Sequence, residues 1–115
     1  MKKTYIGIDI GTTSIKLSSM DNQMNVVHDV QYMYEYLTPH KDWAEIHPDI
    51  WYEIVLKGLK ETFQHIDSHD VAGIGITGQM HTTVFVDKDG LSVRPAIMWN
   101  DARTKRMIPK IREKL

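Results

Sequence analysis

The sequence contains no cysteine, which excludes disulfides and every cysteine-based zinc or redox site. It also lacks a charge excess: 14 basic residues face 15 acidic ones, for a formal net charge of -1. No overall field draws in nucleic acid or an anionic membrane, so neither is an expected partner. Long apolar runs are missing, which argues against a bilayer-spanning helix. Met1-Lys2-Lys3 and an apolar stretch broken by Asp9 are too short and polar for a secretory leader. There is no Pro/Gly/Ser-rich linker, internal repeat or low-complexity tract. What remains is 115 residues, 42% of them apolar and 25% charged. A chain of this size buries roughly two-thirds of the surface its unfolded form exposes. The expectation is one soluble, cytoplasmic domain held by packing alone.

Tyr5-Ile6-Gly7-Ile8-Asp9-Ile10 is rich in β-branched residues and closes at Gly11, and a second run from Ile15 to Met20 follows after four residues, which predicts a hairpin. After the turn signal Asp21-Asn22-Gln23, the alternation of Val30, Tyr32, Tyr34 and Tyr36 predicts a third antiparallel strand. His47-Pro48-Asp49 starts a helix, and Trp51, Ile54, Val55, Leu59, Phe63 and Ile66 share one face of it, ending near Ile66. Val71–Ile76, with two internal glycines, reads as a strand packed closely against other backbone. Thr82–Val86 and Val93–Trp99 flank the turn Asp87-Lys88-Asp89-Gly90 as two more strands, and Asn100 or Asp101 caps a last helix running towards Leu115. The order ββ(β)αβ(ββ)α fits an α/β fold, one mixed sheet with helices packed on it.

Three clusters carry candidate chemistry. Asp9 at a strand end is followed by a glycine and three hydroxyls, Gly11-Thr12-Thr13-Ser14, with Lys16 on the returning strand. The N–H groups of such a turn form an anion nest and its hydroxyls donate to phosphate oxygens, while Asp9 requires a divalent cation held through water. It is neither a Walker A loop nor a dinucleotide fingerprint, and an ordinary hairpin turn is the competing reading. Thr77-Gly78-Gln79-Met80-His81 follows a glycine-rich strand and mixes directional donors with an apolar contact, which suits a polyol. The competing reading is a satisfied histidine beside a core methionine. In Trp99-Asn100-Asp101-Ala102-Arg103 an indole covers a small cavity, or else Trp99 is core and Asn100-Asp101 a helix cap. His65-x-Asp67-x-His69 has metal-ligand spacing but falls on a solvated helix end. The tyrosine stripe reads as core, and the basic face of Arg103, Lys105, Arg106, Lys110, Arg112 and Lys114 as solvated surface.

Taken in order, Tyr5–Ser14, Trp43-Ala44-Glu45-x-x-Pro48-x-x-Trp51, Gly78-Gln79-Met80-His81 and Arg94-Pro95-Ala96-Ile97-Met98-Trp99-Asn100-Asp101-x-Arg103 resemble the amino-terminal end of the FGGY carbohydrate kinases over nearly the whole chain. Gln-Met-His and Trp-Asn-Asp-x-Arg look most like the xylulokinase branch, which usually carries glycine where this chain has Thr82. The resemblance implies a ribonuclease-H-like (actin-like ATPase) fold, of which residues 1–115 would form the first part of the amino-terminal domain of a longer two-domain kinase. It implies ATP and Mg²⁺, with Asp9 organising the metal and Gly11, Thr12, Thr13, Ser14 and Lys16 at the phosphate. Met80 and His81 would contact the sugar, with Gln79, Trp99, Asn100, Asp101 and Arg103 around it, and the aspartate base would lie beyond Leu115. The implied reaction phosphorylates a sugar hydroxyl, D-xylulose to D-xylulose 5-phosphate. The alternatives are gluconate or another pentulose or polyol, or a non-catalytic sugar- or nucleotide-sensing module. The expected assembly is at most a homodimer.

Overall fold

The computed structural model describes residues 2–115, and in it the chain divides into two compact units. The first contains the chain through Glu35 and Asp49–Gln79, the second Tyr36–Pro48 and Met80–Leu115. Each has its own buried apolar residues. In the first, Ile6, Ile8, Ile15 and Leu17 form the core, and in the second Ala44, Ile46, Ala96 and Met98 are buried.

In the first unit β1 (Thr4–Ile10), β2 (Ser14–Asp21), β3 (Val26–Met33) and β5 (Val71–Gly78) form a sheet of order β3-β2-β1-β5. The β1–β2 and β2–β3 pairs are antiparallel and β1–β5 is parallel, as the mixed-sheet reading required. The two-residue period puts Ile6, Ile8, Ile15 and Leu17 on one face, and α1 (Pro48–Thr62) covers it with Trp51, Ile54, Val55 and Leu59. Gly58 marks the closest approach, since a Cβ there would fall 2.6 Å from Leu17 Cδ1. The opposite face carries Gly7, Asp9, Lys16, Ser18, Gly75 and Thr77 and forms an open trough of about 520 Å³.

Strand β3 lies earlier than its tyrosine alternation suggested. Asp21 Oδ1 accepts the N–H groups of Gln23 and Asn25, which closes a short turn with Met24 at φ 67°, and pairing resumes at Val26. Helix α1 stops at Thr62, whose carbonyl takes the N–H groups of His65 and Ile66, yet Ile66 still packs on the core.

The second unit departs further from expectation. The reversal at Asp87 is present, with Asp87 Oδ1 accepting from the Asp89 and Leu91 N–H groups and Gly90 at φ 78°. Instead of two long strands, only the bridges Thr83↔Ile97 and Val86↔Ser92 form. Pro95 cannot donate to a ladder, and β6 (Ala96–Ile97) pairs antiparallel with β4 (Glu45–Ile46), in a stretch expected to be loop. The last helix is also broken into a 3₁₀ turn, Arg103–Met107, and a short α2 (Ile108–Arg112). Its boundary residue is Ala102, whose methyl group cannot accept a hydrogen bond, and Asp101 Oδ1 one residue earlier accepts the N–H of Arg103 at 3.0 Å. No helix among the described residues is long and apolar enough to cross a membrane.

Candidate functional site: a hydroxyl turn and two aromatic-flanked segments

The phosphate-loop candidates lie between β1 and β2. Gly11 N–H donates to the Ser14 carbonyl at 2.9 Å, and a Cβ on Gly11 would sit 2.9 Å from that same oxygen, so only glycine closes this turn without strain. Asp9 is exposed on the trough face, paired in register with Lys16 on one side and Thr77 on the other. Lys16 leans towards β3, with Nζ 3.7 Å from Asp29 Oδ2. Thr13 is exposed, and Ser14 Oγ accepts from Gln31 Nε2 at 3.0 Å.

The turn is held from behind by groups that the sequence pattern assigned elsewhere. Gln79, grouped with the sugar contacts, belongs to the first unit. Its N–H donates to Ile10 O at 3.0 Å and its Nε2 to Gly11 O at 3.2 Å. Tyr34, read as core, donates its hydroxyl to Gly11 O and its N–H to Thr13 O at 2.9 Å. Trp51 Nε1 donates to the Tyr34 hydroxyl at 3.2 Å. Burial raises the Tyr34 phenol above its ordinary pKa, opposed by the donors Trp51 and Gln79. The signal was available: half-buried tyrosine and tryptophan must find partners for their polar tips.

Among the described residues no three His, Asp or Glu side chains gather to hold a metal. His65-x-Asp67-x-His69 illustrates this, because His65 stacks on His28 at 4.2 Å while exposed His69 pairs with Asp67 at 3.0 Å.

In the second unit the segment that follows Met80 and His81 pairs with the segment that carries Trp99. Thr83 and Ile97 exchange two backbone hydrogen bonds, 2.9 and 3.0 Å, and the Trp99 N–H donates to Thr82 Oγ1 at 3.2 Å. Met80 and Trp99 are 75% and 54% exposed, and His81 is exposed with φ 62°. A histidine in the left-handed region costs on the order of 1 kcal/mol or more, a strain typical of ligand sites. Asn100 Nδ2 donates to the Tyr36 hydroxyl at 3.0 Å.

Asp101 and Arg103 are turned to each other instead. Arg103 Nη2 bonds Asp101 Oδ2 and Glu45 Oε1, both at 2.7 Å, and its guanidinium lies 3.7 Å from the Trp43 ring centre. Arg94 Nη2 reaches Glu45 Oε1 at 2.8 Å. The Asp101 oxygens also accept the N–H groups of Ala44 at 2.7 Å and Arg103 at 3.0 Å. Hydrogen bonds from the Arg103 side chain hold Asp101 down at about 2, against its burial, and also lower Glu45. With its lone pairs so engaged, this carboxylate sets the shape of the segment carrying Trp99 and Asn100.

Residues 4–115 match the family model described as "FGGY family of carbohydrate kinases, N-terminal domain". The chain belongs to the FGGY family of carbohydrate kinases. Among its FGGY relatives, a xylulose kinase of Staphylococcus xylosus is 40% identical over 110 residues, covering 96% of this chain and 23% of that protein. The crystal structure of a gluconate kinase from Lactobacillus acidophilus superposes with TM-score 0.90 at 25% identity, over 99% of this chain and 23% of that one. A xylulose kinase structure from Rhodospirillum rubrum gives 0.89 at 29% identity, over 98% and 24%. The chain thus spans about a quarter of the length of these FGGY proteins. Its fold is that of the FGGY sugar kinases, the actin-like ATPase fold.

Proposed function

We propose that the protein carrying this chain is a cytoplasmic, ATP-dependent sugar kinase converting D-xylulose to D-xylulose 5-phosphate, with residues 1–115 as the first part of its amino-terminal domain. The observation that carries this reading is the turn Gly11–Ser14, closed on itself and lined with hydroxyls directly after the exposed carboxylate of Asp9. The xylulose kinase named among the relatives supports the choice of sugar. In the reaction a sugar hydroxyl oxygen attacks the γ-phosphorus, the bond to the β-phosphate oxygen breaks, and ADP leaves. The hydroxyl proton passes to a carboxylate base outside these residues. Mg²⁺, bound at Asp9 through water, would offset charge on the phosphates. Gly11 closes the turn through its own N–H, and the amides and hydroxyls of Thr12, Thr13 and Ser14 orient the transferred group, with Lys16 adding positive charge nearby. Met80, His81 and Trp99 supply an apolar and hydrogen-bonding surface for the sugar, with Gln79, Asn100, Asp101 and Arg103 shaping the segments around it.

Kinetics on the full-length protein test these assignments. Asp9→Asn should lower kcat by at least about 100-fold with little change in sugar KM, because charge stabilisation is felt chiefly in the transition state. His81→Ala should raise sugar KM roughly tenfold and leave ATP KM nearly alone, the cost of one hydrogen bond to a bound hydroxyl. Unchanged constants would remove both residues from their roles. Gluconate is the second reading, favoured by the fold likeness to a gluconate kinase. A panel of D-xylulose, D-ribulose and gluconate compared by kcat/KM decides between them. No sugar-dependent ADP release with any of them points to a sensing module.

A further inference from the structure

The hydroxyl of Tyr34 is a junction that no step of the proposed reaction uses. Just beyond the end of β3, it donates to the Gly11 carbonyl, accepts from Trp51 Nε1 on α1 at 3.2 Å, and lies 3.5 Å from Gln79 Nε2 after β5. The carbonyls of Ile10, Gly11 and Thr13 are thereby all held, by Gln79 N–H, by Tyr34 with Gln79 Nε2, and by Tyr34 N–H. A peptide unit is a rigid trans plane in which the C=O and N–H point in opposite directions, so fixing the carbonyl of Gly11 aims the N–H of Thr12 the opposite way. The same holds for Thr13 O and the N–H of Ser14. A Gly11 carbonyl released from Tyr34 would be held by Gln79 Nε2 alone at 3.2 Å, and its negative end would rotate more readily towards an incoming phosphate.

We propose that Tyr34 is a positioning residue for the phosphate turn, its hydroxyl oriented by Trp51 so that the Gly11–Thr12 peptide keeps its donor side towards the anion. Tyr34 touches neither sugar nor nucleotide in this assignment and acts through the turn's backbone. The assignment rests on reading Gly11–Ser14 as the phosphate turn. It differs from a packing role, which Phe would serve equally well, in that it depends on one oxygen atom.

The test compares Tyr34→Phe with Tyr32→Phe in the full-length protein. Tyr32 lies two residues earlier and donates its hydroxyl to Glu61, so it loses the same kind of bond away from the turn. Tyr34→Phe should lower kcat at least about tenfold, keep sugar KM within about twofold, and speed hydrogen exchange at the Gly11 and Tyr34 amides by about tenfold or more. Tyr32→Phe should change none of these. Unaltered kcat and exchange in Tyr34→Phe would overturn the proposal, and so would equal losses in both variants, which would indicate general loosening. A wild-type protein that phosphorylates none of the sugars in the panel would instead overturn the kinase reading. The exchange rates would then judge the positioning role alone.

Discussion

Replacing Asp101 by asparagine isolates the energetic worth of the most heavily bonded side chain in the second unit. The carboxylate is 3% exposed and is held at a pKa of about 2, against an ordinary value of 3.8, chiefly by hydrogen bonds from Arg103. The difference is a little under two pH units, and each unit corresponds to 1.36 kcal/mol, so the ionised form stabilises the fold by about 2 kcal/mol. Because the folded pKa lies below the unfolded one, that contribution is fully present above about pH 4 and is lost as the pH falls towards 2. The amide of the Asp101→Asn variant is neutral throughout and has no such dependence. Guanidinium-chloride unfolding of both proteins, followed by tryptophan fluorescence between pH 7 and pH 2, should therefore show a constant gap above pH 5. That gap should shrink by about 2 kcal/mol on acidification. Titration of every other carboxylate cancels to first order in the comparison. A gap that stays level down to pH 2 would mean that Asp101 is not ion-paired in the folded protein, and the network with Arg103 and Glu45 would have to be redrawn.

Two further substitutions probe packing and specificity. Gly58→Ala improves helix propensity by about 1 kcal/mol, but its Cβ would enter the space of the fully buried Leu17 side chain, and overpacking of a core typically costs about 1–3 kcal/mol. Thermal unfolding should show a net loss, and a raised Tm would mean that Leu17 has room to move. Thr82→Gly removes the acceptor for the Trp99 N–H and should raise sugar KM by roughly fivefold, the equivalent of one neutral hydrogen bond, with Tm little altered. Unchanged KM would show that the Thr82 hydroxyl does not set the position of Trp99.

Local sequence signals were sufficient wherever one element faced one core. The alternation of Ile6 and Ile8, the answering Ile15 and Leu17, and the face of α1 from Trp51 to Leu59 specify partner surfaces by periodicity, and those elements stand where the pattern put them. Periodicity failed where hydrogen bonds between distant segments decide the backbone. Tyr34 and Tyr36 continue the alternation past Met33, but the chain has left the ladder by then. Tyr34 N–H goes to Thr13, and Leu37 bridges Glu45. Nothing in the residues near Glu45 announces that Ala96–Ile97, some fifty positions away, is its partner strand.

The same distinction governs the site. Glycine followed by three hydroxyls is a contiguous signal, and the Gly11 N–H to Ser14 carbonyl bond is local, so the turn itself was legible from its own residues while its supports Tyr34, Trp51 and Gln79 were not. Asp101 and Arg103 were legible as residues that matter but not in what they touch. A cap position after Trp99 is an equally good place for a carboxylate that faces a ligand or one that faces Ala44 and Arg103, and the choice depends on Glu45, which supplies Arg103 with its second anion. Arg103 with only Asp101 to satisfy it would retain donors free for a substrate. With Glu45 in place and Trp43 beneath the guanidinium, the Nε and Nη2 donors and one guanidinium face are committed to the fold.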